Sequence, residues 1–379
     1  VFLCLPTPEI DKTGESNLEY YFAAAEELAE AMKSRNDGKQ DNYITIINKS
    51  TVPINMIDET KKIMEEADVE NYGVAANPEF LSEGKAIQNA LKPDRIVVGA
   101  WKEEDFKVLR GVYQRFYDSL DVKYIETNPK EAAAGKLLSN FYLFNKVAIC
   151  FDVIGRTCEA FDDMKFEELR KIITSDNRIS DWGFYDSLYA GGSCFIKDAR
   201  SLSHQLQTQC EAANMIDETY AANKRQLETF ISRANSELDL DWGGKEVALL
   251  GAAFKRGTND IRNSPSIDIV RHLKENRVSD INIYDTAAMD VFQEKFPSSE
   301  TINYFDHEFD AIQGSNVVII STDWPQFRGL ADVMIAEMNG GDKPLIMDGR
   351  RMLQHRYPDL QQAGFDIIAV GSPFIKGEK

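Results

Sequence analysis

The chain has 379 residues, 43 % hydrophobic and 28 % charged, which allows two or three domains with a sizeable buried core. A formal net charge of -19, dispersed along the sequence, excludes a general nucleic-acid binder, which needs a basic surface. No apolar run reaches membrane-spanning length and no leader pattern is visible, so a cytoplasmic location without a membrane partner is expected; the odd, scattered set Cys4, Cys150, Cys158, Cys194 and Cys210 lacks the CxxC spacing of a metal site and predicts reduced thiols.

From residue 1 to about 126, apolar runs at 1–5, 44–47, 73–76 and 95–99 alternate with helical patterns at 18–32 and 103–117. Such alternation predicts an α/β unit with a mostly parallel sheet. Val1-Phe2-Leu3-Cys4-Leu5 reads as a buried strand that Pro6-Thr7-Pro8 terminates, since proline cannot donate to a ladder. A dinucleotide-binding sheet opens with a strand, a glycine-rich turn and a helix, and no GxGxxG precedes any helix here. The expectation is that a cofactor is held otherwise or that the start of this domain is missing. Between 128 and 238 the strand pattern disappears, and apolar residues recur at helical spacing through 136–161 and 198–231. Residues 237–244 are polar with two glycines, and alternation resumes with strands at 247–251, 281–284, 317–320 and 345–347. The expected domains are therefore 1–127, 128–238 and 239–379.

Chemistry concentrates in Gly191-Gly192-Ser193-Cys194-Phe195-Ile196-Lys197-Asp198. The glycines let a ligand approach the backbone, Cys194 is a nucleophile, and Asp198 follows four residues on. Alone, a free cysteine is more often packing. Lys136 and Asn140, also four apart, share a helix face and would suit a developing oxyanion, although an exposed Lys beside a surface Asn has the same spacing. Glu79 after Pro78 reads by itself as a helix-start carboxylate. Lys136, Arg178, Lys255, Arg262 and Arg350-Arg351 are the cations available to an anionic substrate.

Six segments occur in order: Leu5-Pro6-Thr7-Pro8; Ser50-Thr51-Val52-Pro53; Asn77-Pro78-Glu79-Phe80-Leu81-Ser82-Glu83-Gly84; residues 136–140; the glycine–cysteine turn; and Gly251-Ala252-Ala253-Phe254-Lys255 with Asp260-Ile261-Arg262. Together, over 1–371, they resemble the UDP-glucose/GDP-mannose dehydrogenase family, most closely its members acting on UDP-glucose. The resemblance implies an α/β fold of two Rossmann-like parallel-sheet domains joined by a helical central region with a long helix. The first domain would be incomplete, lacking about 80 residues with the glycine-rich turn and the ribose-binding acid.

It implies oxidation of C6 of the sugar from alcohol through aldehyde to carboxylate, with two NAD+ consumed. Cys194 would form a thiohemiacetal and then a thioester; Asp198 and Thr51 would attend the hydrolytic water, Glu79 would act as acid/base, and Lys136 and Asn140 would bind the C6 oxygen. Phe80, Leu81, Arg178, Gly191, Phe254, Lys255 and Arg350 would contact the nucleotide sugar. Leu5, Pro6, Thr7, Pro8, Ser50, Thr51, Glu83 and Arg262 would contact NAD. A homodimer or higher homo-oligomer built on the 136–161 helix is implied, with no metal.

The chain also departs from the family. Tyr189-Ala190 replaces an expected glycine–aromatic pair before Gly191, Ile196 replaces a proline or polar residue, and Trp182-Gly183-Phe184-Tyr185-Asp186 carries an acid where an anionic substrate calls for a base. GDP-mannose, an N-acetylated UDP-sugar, or binding without turnover therefore stand beside UDP-glucose.

Overall fold

Five strands assemble the first sheet, in the order β1 (Phe2–Leu3), β2 (Ile44–Asn48), β3 (Tyr72–Ala76), β4 (Arg95–Ala100) and β5 (Lys123–Thr127). A computed structural model describes residues 1–10, 13–36, 43–119, 121–184, 187–338 and 342–378. They fall into two units, one of Val1–Tyr142 with Lys197–Asp217 and one of Leu143–Ile196 with Glu218–Lys379, so the central helical stretch is shared out between them.

In the first unit β1, β2 and β3 are parallel, β4 is antiparallel to β3, and β5 is parallel to β4. The sheet was expected to be mostly parallel, and the single reversal lies between β3 and β4. These two strands overlap only at Ala75 with Ala100 and Ala76 with Gly99, so β4 projects past the carboxyl end of β3. The connection 77–94 therefore leaves and re-enters the sheet on one edge, and Asn77 Nδ2 donates to Val97 O at 2.8 Å to extend the pairing. The expectation of a buried first strand is corrected: β1 is an edge, and Leu3 is buried while Val1 and Phe2 are exposed. Helices Glu19–Asn36, Met56–Glu66 and Glu103–Ser119 cover the sheet, placing Tyr21, Met56, Met64 and Leu109 in its core.

The second sheet is wholly parallel, with β6 (Glu246–Leu250), β7 (Asp280–Tyr284), β8 (Ile302–Tyr304), β9 (Val317–Ile320), β10 (Leu345–Asp348) and β11 (Ile367–Ala369) in the order β11-β10-β9-β6-β7-β8. This is the doubly wound Rossmann order, with its reversal point between β6 and β9. All four residues of β9 and of β10 are buried, because helices cover both faces, and such strands read as continuous apolar runs. Gly251 closes β6 at φ +103, where an added Cβ would lie 2.3 Å from Thr322 Oγ1.

Helix Pro129–Ile149 continues through a π-helical turn, Cys150–Gly155, into Arg156–Ala160. By length and composition this run could cross a membrane, which corrects the expectation that no such segment exists. Lys136, Asn140, Asn145 and Lys146 interrupt the apolar residues, so no continuous run is visible although the average remains apolar. Leu137, Phe144 and Phe151 are buried along it, whereas Leu138, Tyr142, Ile149 and Val153 are exposed. The helical pattern expected over 198–231 is two helices, Cys194–Thr208 and Asn214–Leu238, broken where Cys210 takes a left-handed φ of 61°.

Candidate functional site

In the first unit the carboxyl ends of β1, β2 and β3 carry Leu5-Pro6-Thr7-Pro8, Lys49-Ser50-Thr51-Val52 and Asn77–Glu83 respectively. Parallel strands leave such an edge free to hold a nucleotide. Ser50 Oγ accepts from Leu5 N–H at 2.6 Å, and Thr7 Oγ1 donates to Thr51 O at 2.7 Å, so the first two loops hold each other. Buried Asn48 Oδ1 beneath them has no hydrogen-bond partner among the described residues. Loops tied in this way, beside an unsatisfied acceptor, can hold a ligand that donates a hydrogen bond.

Helix Pro129–Ile149 brings Lys136 to this edge. Its side chain is only 5 % exposed, with Nζ 3.2 Å from Glu79 Oε1 and 5.4 Å from the Phe80 ring centre. The second Glu79 oxygen accepts from Leu81 N–H, and the Arg95 guanidinium lies 3.8 Å from the Phe80 ring. Thr51 and Lys136 line one narrow recess with Asn48, Ser50 and Pro78. Leu81 is exposed and Glu83 half-buried further along the same connection.

One turn beyond Lys136, Asn140 Nδ2 donates to Asp198 Oδ2 at 2.6 Å, both side chains being buried. Lys197 Nζ lies 2.7 Å from Asp198 Oδ1, yet its angle is not that of a hydrogen bond, and that oxygen has no hydrogen-bond partner among the described residues. An anionic oxygen in this state is suited to accept from water.

Sequence reasoning missed Lys49 and Tyr113. Both donate to Asn77 Oδ1, Lys49 at 3.0 Å, and both face a cavity of about 270 Å³ lined also by Glu79, Phe80 and Arg95. Burial pulls the Lys49 ammonium below its ordinary range, with Glu79 opposing, while burial and Cys4 push Tyr113 up to about 12. A lysine directly after an aliphatic strand was the available signal.

In the second unit Gly192 has φ +81, its N–H donates to Arg262 O at 2.9 Å, and its carbonyl accepts from Asn263 Nδ2 at 2.9 Å. A Cβ on Gly191 would stand 2.8 Å from Phe254 Cβ, and one on Gly192 2.9 Å from Phe254 Cζ, so Phe254 packs directly on the glycine pair. Ala190 is held at both its backbone groups by Asn223, at 2.7 and 3.1 Å. The exposed Cys194 heads helix Cys194–Thr208, with Ser193 Oγ 3.8 Å from its sulfur and Asp198 one turn further on.

Lys255 lies 5.2 Å from the Phe254 ring centre. Arg350 reaches Ser187 Oγ at 2.7 Å and Asp323 Oδ1 at 3.0 Å, and its Nε has no hydrogen-bond partner among the described residues. Burial would raise the Asp323 carboxyl, but the Arg350 charge and the Arg256 N–H outweigh it and hold it below the usual range. Arg262 chelates Asp260, and Arg178 chelates Asp176 with 89 % of its side chain exposed. The structure thus brings Gly191, Phe254, Lys255 and Arg350 together, whereas the polar partner of Arg178 is its neighbour Asp176. Tyr185 and Asp186 lie outside the described residues.

Residues 1–117, 130–225 and 248–355 match, in turn, the NAD binding, central and UDP binding domains of the UDP-glucose/GDP-mannose dehydrogenase family. The UDP-glucose 6-dehydrogenase AglM of Haloferax volcanii is 31 % identical over 360 residues, covering 94 % of this chain and 80 % of that protein. The UDP-glucose 6-dehydrogenase of Pseudomonas aeruginosa is 27 % identical over 382 residues, covering 98 % and 80 %. Among solved structures, a UDP-glucose dehydrogenase from Pyrobaculum islandicum is similar with a TM-score of 0.82 at 26 % identity, over 94 % of this chain and 77 % of that one. A UDP-D-ManNAc dehydrogenase from Pyrococcus horikoshii shares the fold, with a TM-score of 0.78 at 20 % identity over 98 % and 80 %.

Proposed function

The chain belongs to the UDP-glucose/GDP-mannose dehydrogenase family, and from that premise we propose that it oxidises C6 of UDP-glucose to the carboxylate of UDP-glucuronate through a thioester on Cys194. It is an NAD-dependent nucleotide-sugar dehydrogenase by family. Bound NAD+ supplies the acceptor for the hydride that leaves C6 in each of two oxidations.

Leu5, Pro6, Thr7, Pro8, Ser50 and Thr51 hold the cofactor, with Glu83 and Arg262 as further contacts. Phe80, Leu81, Gly191, Phe254, Lys255, Arg178 and Arg350 bind the nucleotide sugar. As the C6 alcohol loses its proton and hydride, Glu79 acts as acid/base while the Lys136 ammonium and Asn140 amide stabilise charge on the oxygen. The Cys194 thiolate adds to the aldehyde carbon, making a tetrahedral thiohemiacetal from which the second hydride can depart. Water held by Thr51 and deprotonated by Asp198 then attacks the thioester and releases the thiol. The observation supporting this most is the buried Asp198 oxygen without a hydrogen-bond partner, one turn from Cys194 on the same helix.

The Tyr189-Ala190 departure favours a second reading, a relative acting on GDP-mannose or an N-acetylated UDP-sugar. The exposed Leu138, Tyr142, Ile149 and Val153 support a homodimer built on helix Pro129–Ile149 and its continuation. Action in the cytoplasm belongs to the same reading. Turnover with a panel of nucleotide sugars tests the assignment: two NADH per UDP-glucose are expected, and Cys194→Ser should stop acid formation. Turnover of another sugar alone, or acid formation by the serine variant, overturns it.

A further inference from the structure

In a Rossmann sheet the acid at the end of the second strand grips the ribose of a dinucleotide. In the second sheet that place belongs to Asp285, directly after β7. Its carboxylate is turned inward, 2 % exposed, and is consumed by the protein itself. Oδ2 accepts Ala252 N–H at 2.7 Å, Ala253 N–H at 3.1 Å and Trp324 Nε1–H at 2.9 Å, while Oδ1 accepts the N–H groups of Ala287 and Ala288 at 2.7 and 2.8 Å. Five donors saturate a carboxylate, whose lone pairs provide about four sites. The carbonyls of the same turn are tied as well: Ser266 Oγ donates to Gly251 O at 2.6 Å, Ser264 Oγ to Ala252 O at 2.7 Å, and Thr322 Oγ1 to Ala253 O at 2.5 Å. Phe254 and Lys255 follow immediately.

We propose that Asp285 is a positioning residue for nucleotide-sugar binding. It clamps the turn 251–253, so that Phe254 and Lys255 are presented in a fixed pose to a nucleoside diphosphate sugar. A dinucleotide finds no ribose partner at this acid. The inference rests on the function proposed above. An amide at this place would aim an N–H group at N–H donors, leaving some of them unpaired and the turn free to move.

The test is Asp285→Asn in the full chain, with UDP-glucose binding measured by calorimetry and by steady-state kinetics. Kd and KM for UDP-glucose should rise about tenfold, with kcat at saturation within about twofold, because the reacting groups are elsewhere. The Trp324 indole N–H resonance should move upfield as its anionic acceptor is lost, a readout that does not depend on nucleotide. If Asp285→Asn fails to fold, Trp324→Phe removes one of the five donors and should raise KM about threefold. Unchanged Kd and KM in a folded variant overturn the inference while leaving the function intact. Wild-type protein that binds no nucleotide sugar overturns the function, and the inference with it.

Discussion

Asn140 donates its Nδ2–H to Oδ2 of Asp198 across 2.6 Å, with both side chains buried. The amide fixes one carboxylate oxygen and turns the other toward Lys197, which balances charge at 2.7 Å without making a hydrogen bond. Orientation and charge balance are thereby supplied by different neighbours.

Asp198→Asn keeps the size of the side chain and removes the base. Turnover should fall by about 10²- to 10⁴-fold. Covalent adduct on Cys194 should accumulate, read as an added mass on the quenched protein. Loss of turnover without adduct would place Asp198 before thioester formation, against the role proposed.

Gly251→Ala should destabilise the second unit by about 2–4 kcal/mol, since it combines a strained φ with overpacking. The new Cβ would stand 2.6 Å from Thr322 N, a backbone atom that no side-chain replacement can remove. A urea midpoint within error of the wild type would show that the turn can relax.

Asp105 offers a pH test in the first unit. Tyr43 and Thr45 donate to its Oδ1 at 3.1 and 2.8 Å, and buried Oδ2 has no hydrogen-bond partner among the described residues. Burial pushes this carboxyl up, against the pull of those hydrogen bonds. The folded chain therefore retains a proton that the unfolded chain releases, so stability falls as pH rises from the ordinary carboxylate range through the raised value. Asp105→Asn should be more stable than the wild type at neutral pH, and the gain should vanish in acid below that range. Denaturant melts across pH measure it; a pH-independent difference would refute it.

Tyr142→Glu combined with Val153→Glu should shift sedimentation toward the monomer. These residues are 70 % and 56 % exposed, and the charges would enter the apolar stripe assigned to a second copy. An unchanged sedimentation coefficient would place the dimer, or its absence, elsewhere.

Much of the fold was legible because central parallel strands are buried on both faces, and β9 and β10 announce themselves as uninterrupted aliphatic runs. Three of the edge strands do not. β5 carries Lys123, Glu126 and Thr127 with no buried residue, and β8 and β11 are three residues each, too short for a period. Glu79 and Asp198 were singled out as candidates through ordered motifs, and the spacing of Lys136 and Asn140 gave a shared helix face without showing which neighbours they meet. Asp285 was missed because an aspartate after a strand reads as an ordinary turn former; what distinguishes it is the set of N–H groups that the sheet edge collects around it.

The reversal between β3 and β4 keeps residues 77–94 on one rim of the sheet, with no crossover to constrain their length. Beyond Asn77, whose amide extends the β3–β4 pairing, changes inside that excursion reshape the walls around Phe80 and Arg95 without touching a paired strand residue. Under the function proposed above, in which Phe80 and Leu81 contact the nucleotide sugar, a graft of residues 78–94 between relatives should transfer sugar preference without asking the scaffold to adapt.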